Sequence, residues 1–288
     1  MSFGRFMPHL VGVLRLLRLS NSLPASALVL IGAWLVQGWP LNQRAWLAAA
    51  AMWCISAFGY ASNDCFDALE DSINKPDRPL PAGLVTPTQS IKLAALLAVG
   101  GVVFSLLLGN FPSAVALLVL ALLTLYNVRL KGTPAVGNLL IALLAGCTLL
   151  TGGVAVAGLQ WAVLRVLTTP AVLLAAFVAA RELLKTLEDV AGDQAAGKRT
   201  IATWLGTRPT LQVIAVLGCV VAGLGTAAWW CQGYSLAFLL MVGSGVVAPL
   251  LFASFYLWQN ASPARVSRCL ALLKASYFAG IVALLVAH

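Results

Sequence analysis

Charge is what this chain has least of. Of 288 residues only 9% are Asp, Glu, Lys or Arg, where a soluble globular domain carries about a quarter, and the mean hydropathy is +0.94. That scarcity excludes a soluble fold. Histidine is nearly missing: His9 and His288 lie near the two ends, which leaves histidine-based catalysis or metal binding without support. The six cysteines, at 54, 65, 147, 219, 231 and 269, form no CxxC pair and read as small packing residues. Also missing are the alternating segments of about ten residues that mark a membrane β-barrel. No small-residue processing site follows Arg5, Arg15 and Arg18, so the first apolar run is expected to stay as a membrane helix.

What is present is a series of apolar runs, each about 17 to 25 residues and so long enough to cross a bilayer as a helix. They fall near residues 20–39, 45–63, 90–108, 113–127, 136–157, 163–184, 210–231, 236–257 and 269–287. The expected fold is an all-α integral membrane protein: nine transmembrane helices around a lipid-accessible cavity, one domain over residues 1–288. Lys and Arg mark the cytoplasmic side of such a protein. With the N-terminus inside, 16 of the 18 fall on that side, leaving Arg44 and Arg165 opposite. The expected location is the bacterial inner (cell) membrane, with a cytoplasmic N-terminus. The net charge of +9 favours anionic lipid headgroups, and its spread along one membrane face argues against nucleic acid.

The nine acidic residues fall in two windows, both at expected cytoplasmic helix ends. In the first, Asp64, Asp67 and Asp71 are spaced i, i+3, i+7, which sets three carboxylates on one helical face with Asn63 beside them. Such a face repels itself, stands at a helix C-terminus where negative charge is disfavoured, and lies near hydrocarbon where ionised groups are costly. A bound cation is required. In the second, Asp189 and Asp193 are spaced i, i+4, with Lys185 one turn and Arg181 two turns earlier. Carboxylates interleaved with cations suit a ligand that brings Mg²⁺ and phosphate together, because Mg²⁺ takes one or two carboxylates plus phosphate oxygens. Glu70 and Glu182 lie off these faces and are expected to be solvated or ion-paired; Asp77 is expected to pair with Lys75 or Arg78.

Two look-alikes fail. "GDQAAGKR" has Arg199 where a phosphate-binding loop needs Ser or Thr, and "DCFDALEDSINK" has Leu69 where a calcium loop needs Gly. Pro76, Pro79, Pro81 and Gly83 cannot continue a helix, so residues 74–85 are expected to form a structured cap carrying Lys75 and Arg78 over the site.

The stretch Asn63-Asp64-x-x-Asp67-x-x-x-Asp71 followed by "NKPDRPLPAG", and Asp189-x-x-x-Asp193 followed by "GKRTIATWLG", resemble the two aspartate-rich signatures of the UbiA superfamily of intramembrane prenyltransferases. The resemblance covers essentially the whole chain. It implies Mg²⁺-dependent transfer of a prenyl group from an allylic prenyl diphosphate, through a carbocation, to an acceptor. It further implies metal binding by Asn63, Asp64, Asp67, Asp71, Asp189 and Asp193. Diphosphate contacts would come from Asn63, Arg78, Lys131 and Lys185. "YNVRLKG" resembles a family segment that makes Tyr126 a candidate to stabilise the carbocation or orient the acceptor, and Asn21 resembles a polar position facing the family's cavity.

The first expectation for the acceptor is aromatic, a quinone precursor or specialised aromatic metabolite. The alternatives are a glycerol phosphate lipid or a chlorophyllide-type acceptor, whose enzymes "NKPDRPLPAG" resembles more than the 4-hydroxybenzoate version, or cyclisation of the prenyl chain without an acceptor. From a different class, an ion-coupled transporter would use the same carboxylates, although transporter sites lie near the bilayer midplane.

Overall fold

The structure is a computed structural model that describes residues 3–287, with side chains described for residues 10–287. Among the described residues every regular element is helical, and nine helices are long and apolar enough to cross a membrane. In chain order the helices are α1 (Phe3–Leu17), α2 (Leu19–Gln37), α3 (Gln43–Phe66), α4 (Ala68–Asn74), α5 (Pro87–Leu106), α6 (Asn110–Leu125), α7 (Val136–Ala157), α8 (Trp161–Glu188), α9 (Val190–Ala195), α10 (Ile201–Leu205), α11 (Thr207–Gln232), α12 (Leu236–Val242), α13 (Ala248–Gln259) and α14 (Pro263–Leu285). A π-helical turn, Tyr126–Leu130, extends α6, and a second one, Gly243–Val247, joins α12 to α13. The spans therefore sit where the apolar runs place them, with α1, α4, α9 and α10 as short additions at span ends.

The contacts gather into two compact units. One comprises residues 1–131, 148–163 and 195–197; the other comprises residues 132–147, 164–194 and 198–288.

In the first unit the chain turns from α1 into α2 at Arg18, which holds a left-handed backbone (φ 43°, ψ 53°). Helix α5 starts where Thr86, Pro87 and Gln89 supply a complete capping box with proline at the first helical position. Helices α2 and α7 meet backbone to backbone. A Cβ at Gly152 would stand 1.8 Å from the Val29 carbonyl oxygen, and one at Gly32 would stand 2.0 Å from that of Leu149. Close approach through small residues is how membrane helices gain packing energy without a hydrophobic drive. Arg44, one of two basic residues on the expected outer side, donates from Nε to the Ala155 carbonyl at 2.7 Å and from its guanidinium to the Leu108 carbonyl at 3.1 Å. It thereby satisfies carbonyls near the C-terminal ends of α5 and α7 that have no partner within their helices.

In the second unit Ser235 starts α12, its Oγ accepting from the Phe238 N–H at 3.0 Å, while its own N–H donates to Ala287 at 2.8 Å and so anchors the chain's last turn. Phe238 is fully buried and packs edge-on against Tyr234, ring centroids 4.8 Å apart.

Candidate active site

The first acidic cluster is built where α3 gives way to α4. The sequence pattern predicts one continuous helix through Asp64, Asp67 and Asp71; the structure instead kinks at Asp67, whose backbone (φ −93°, ψ 10°) leaves the helical well. The ladder survives the kink, because Asp67 N–H still donates to the Asn63 carbonyl at 2.9 Å and Asp71 N–H to the Asp67 carbonyl at 2.8 Å. The kink alters the electrostatics. Asp71 falls in the first turn of α4, where the helix dipole favours a carboxylate, in place of the unfavourable C-terminal position expected from an unbroken helix.

All three aspartates are buried, with 2%, 2% and 5% of their surfaces exposed at Asp64, Asp67 and Asp71. Side chains from three other segments compensate them. Arg18, at the α1–α2 turn, pairs with Asp64 Oδ1 and lies over the Tyr60 ring. Arg78, from the cap, pairs with Asp71 and approaches Asp64 to 3.5 Å. Lys131, just past the first π-turn, pairs with Asp67 and donates to Asn63 Oδ1 at 3.3 Å, while Asn63 Nδ2 donates to Asp67. Burial raises the Asp71 carboxyl above its ordinary value of 3.8; Arg78 opposes that rise by charge and hydrogen bonding, and Asp67 and Asp64 add to it.

The π-turn sets Lys131. Its N–H reaches back five residues to the Tyr126 carbonyl at 2.9 Å, and the widened turn buries both Tyr126 and Asn127; such turns recur at functional sites. Asn127 Nδ2 donates to Ser62 Oγ at 3.0 Å, and Ser62 donates in turn to the Phe58 carbonyl at 2.7 Å. The cap is ordered by its own backbone: Arg78 N–H donates to Lys75, Ala82 to Arg78, and Leu84 to Pro79, with Gly83 at φ 68°. Asp77 is exposed on it.

The second cluster lies in the other unit and repeats the local design. Helix α8 stops at Glu188 and α9 starts at Val190, so the first aspartate of the pair, Asp189, again stands at the junction. Asp193 N–H donates to the Asp189 carbonyl at 2.9 Å and Lys198 N–H to the Asp193 carbonyl at 2.8 Å. Gly197, at φ 68°, lets the chain turn there, and Arg199 N–H reaches the Gly132 carbonyl at 3.1 Å. Asp193 is 5% exposed. Lys185 lies 3.6 Å from Glu182 and Arg181 lies 3.0 Å from it.

The profile of the UbiA prenyltransferase family matches residues 25–278. The chain is also 36% identical over 280 residues to the digeranylgeranylglyceryl phosphate synthase of Natronomonas pharaonis, covering 97% of this chain and 98% of that protein. The chain belongs to the UbiA prenyltransferase family. A synthase of the same name from Ignicoccus hospitalis is 34% identical over 278 residues, covering 95% of this chain and 90% of that one. Among solved structures, the UbiA homologue of Aeropyrum pernix superposes with a TM-score of 0.77 at 21% identity, covering 92% of this chain and 97% of that one. The Archaeoglobus fulgidus homologue bound to DMAPP and Mg²⁺ superposes at 0.66 and 17% identity, covering 94% and 99%. These likenesses show a shared fold. As a UbiA prenyltransferase the chain is an integral membrane enzyme, and the transporter alternative falls.

Within this UbiA chain, the first unit brings together Asn63, Asp64, Asp67, Asp71, Arg78 and Lys131 from the residues singled out in the sequence. It places Tyr126 buried at the π-turn and Asn21 half-buried one turn beyond Arg18. Lys185, expected at a diphosphate, stands beside Glu182 in the second unit. Glu70 and Glu182 are both buried, so neither is a solvated carboxylate, and Glu182 takes the paired role. Arg18 and Asn127 are the participants that sequence reasoning passed over. In the sequence Arg18 reads only as a topology signal, and its isolated position says nothing about a partner 46 residues away. Asn127 lies inside "YNVRLKG", and its partner Ser62 is 65 residues away, beyond any local spacing.

Residues at the first cluster fit a divalent cation. Asp64 Oδ2 is buried and accepts no hydrogen bond from any described residue, an arrangement costly for a carboxylate oxygen unless a cation is to occupy that lone pair. Among the described residues no three His, Cys, Asp or Glu side chains form a ready cage around one point. Mg²⁺ requires no such cage, because it retains waters and takes phosphate oxygens as ligands.

Proposed function

We propose that this enzyme transfers a prenyl group from an allylic prenyl diphosphate to the hydroxyl of a prenylated glycerol phosphate, acting as one functional domain over residues 1–288 at the cytoplasmic face of the membrane. The observation that carries the acceptor is the near end-to-end match, at 36% identity, to the digeranylgeranylglyceryl phosphate synthase of Natronomonas pharaonis. That product name describes a glyceryl phosphate with two geranylgeranyl chains, so the acceptor that precedes it carries one. The aromatic acceptor expected first from the sequence gives way to this reading, and "NKPDRPLPAG" in the cap supports the change.

Mg²⁺ is the proposed cofactor, as in the Archaeoglobus fulgidus homologue bound to it. Asp64, Asp67 and Asp71, with Asn63, would hold it in the first unit, and Asp189 and Asp193 carry the proposed second metal-binding role. Bound there, the metal would offset the charge that collects on the departing diphosphate. The chain's own contribution is an exchange of partners. Lys131 and Arg78 now neutralise Asp67 and Asp71; with substrate present they turn to diphosphate oxygens, as charge-assisted donors aimed at the leaving group. The C1–O bond breaks with its electron pair going to the diphosphate. The acceptor oxygen then bonds to C1, and its proton passes to the released diphosphate. Tyr126 is the candidate for stabilising the carbocation, with Lys185 and Asn21 as proposed diphosphate and cavity contacts.

The test is product mass. Purified enzyme with Mg²⁺, geranylgeranyl diphosphate and either geranylgeranylglyceryl phosphate or 4-hydroxybenzoate should add one prenyl unit to the glyceryl phosphate. Prenylation of the aromatic acceptor alone would overturn the reading.

A further inference from the structure

A cleft of about 460 Å³ opens in the first unit beside the acidic cluster. Arg15 and Arg18 from the end of α1 and the turn after it line it, with Lys75 and Arg78 from the cap and the carboxylates of Asp64 and Asp77. Four cations line it against two carboxylates, and Arg78 also answers Asp71, so positive charge still exceeds negative by one in a concave site. Arg18 and Arg78 are committed to Asp64 and Asp71. Arg15 is exposed and makes no ion pair with any described residue, and Lys75, half-buried on the cap, lines the same cleft. The phosphate of a lipid phosphomonoester, anionic at neutral pH, suits that surplus.

The surroundings narrow the ligand. Leu10, Val11 and Leu14 of α1 are exposed, and Val11 and Arg15 are four residues apart on one helical face, so an apolar track leads to the cationic wall. Asp64 and Arg78 belong both to the cleft and to the acidic cluster, which sets an anion in the cleft against the reaction site without using Lys131 or Asp67. We infer that this cleft is the subsite for the phosphate of the acceptor lipid, with Arg15 and Lys75 as its specificity-determining cations. This deepens the glycerol phosphate reading and rests on it.

The experiment is calorimetric binding of geranylgeranylglyceryl phosphate to detergent-solubilised full-length enzyme, in EDTA and without prenyl diphosphate, so that no metal bridges the ligand. Geranylgeranylglycerol and a phosphatidylglycerol serve as comparison ligands. The wild type should bind the phosphomonoester at least about tenfold more tightly than either comparison ligand, the scale of a charge-assisted contact. Arg15→Gln/Lys75→Gln should lose that margin, and its KM should rise for the acceptor and stay unchanged for the prenyl diphosphate. Equal phosphomonoester binding by wild type and variant would overturn the cleft while leaving the acceptor reading intact, provided glyceryl phosphate is still prenylated. Equal binding of phosphatidylglycerol would make the cleft a general lipid site and overturn the proposal. Failure of the wild type both to bind and to prenylate the glyceryl phosphate would sink the cleft and the acceptor reading together. Arg15→Lys should restore binding in part, which a merely structural role for Arg15 would not require.

Discussion

Lys131, one residue past the π-turn, pairs with Asp67 at the kink between α3 and α4, although 64 residues separate them in sequence. Both groups are largely withdrawn from water. Each neutralises the other; in the proposed reaction a ligand would offer Asp67 a metal and Lys131 a phosphate. On that proposal the pair stands in for the bound state, and its chemistry sets what substitutions should do.

Asp67→Ala should lower turnover by about 100-fold or more, the scale of losing a central electrostatic contact to a leaving group, and Asp189→Ala should do the same in the other unit. Both variants should still insert, since the apolar spans are untouched. Steady-state rates, with circular dichroism as the check on folding, measure this; activity near wild type in either variant refutes the metal assignment.

Lys131→Gln should raise KM for the prenyl diphosphate by about 10- to 100-fold, the equivalent of one hydrogen bond to a charged group. Because the variant leaves Asp67 buried without its cation, it should also become more dependent on Mg²⁺. The readout is KM for the diphosphate across a Mg²⁺ titration. An unchanged KM would mean that Lys131 does no more than neutralise Asp67.

Asp71 gives a pH prediction. Burial raises its folded pKa above the ordinary 3.8, so its contribution to stability is fully present below that ordinary value and is lost as pH rises through the raised one. In EDTA, the melting temperature of wild type relative to Asp71→Asn should therefore fall as pH climbs from about 4 towards neutrality. Saturating Mg²⁺ should reverse the difference by favouring the ionised form. A pH-independent difference in EDTA would show that Asp71 is not held in this state.

Gly152→Ala should destabilise the protein by about 1 to 3 kcal/mol, the usual cost of overpacking, because the new Cβ meets the Val29 carbonyl at 1.8 Å and backbone cannot yield as a flexible side chain would. Thermal unfolding in detergent measures it. The control is Gly223→Ala, where a Cβ meets nothing within 4 Å.

By itself the sequence determined that the chain is a helical membrane protein, where its nine spans fall, and that its carboxylates form two clusters. These follow from local pattern: an apolar run of fixed length must be a helix in lipid, and i, i+3, i+7 spacing places side chains on one face whatever surrounds them. Only the tertiary structure decided which cation serves which carboxylate. Arg18 reaches Asp64 across 46 residues and Asn127 reaches Ser62 across 65, and no local pattern encodes such pairings, which depend on how separate helices pack. The kink at Asp67 and the π-turn before Lys131 are also tertiary outcomes. Both depart from the regular helix that propensity favours, and both are held by partners from other helices: Lys131 on Asp67, and Ser62 on Asn127.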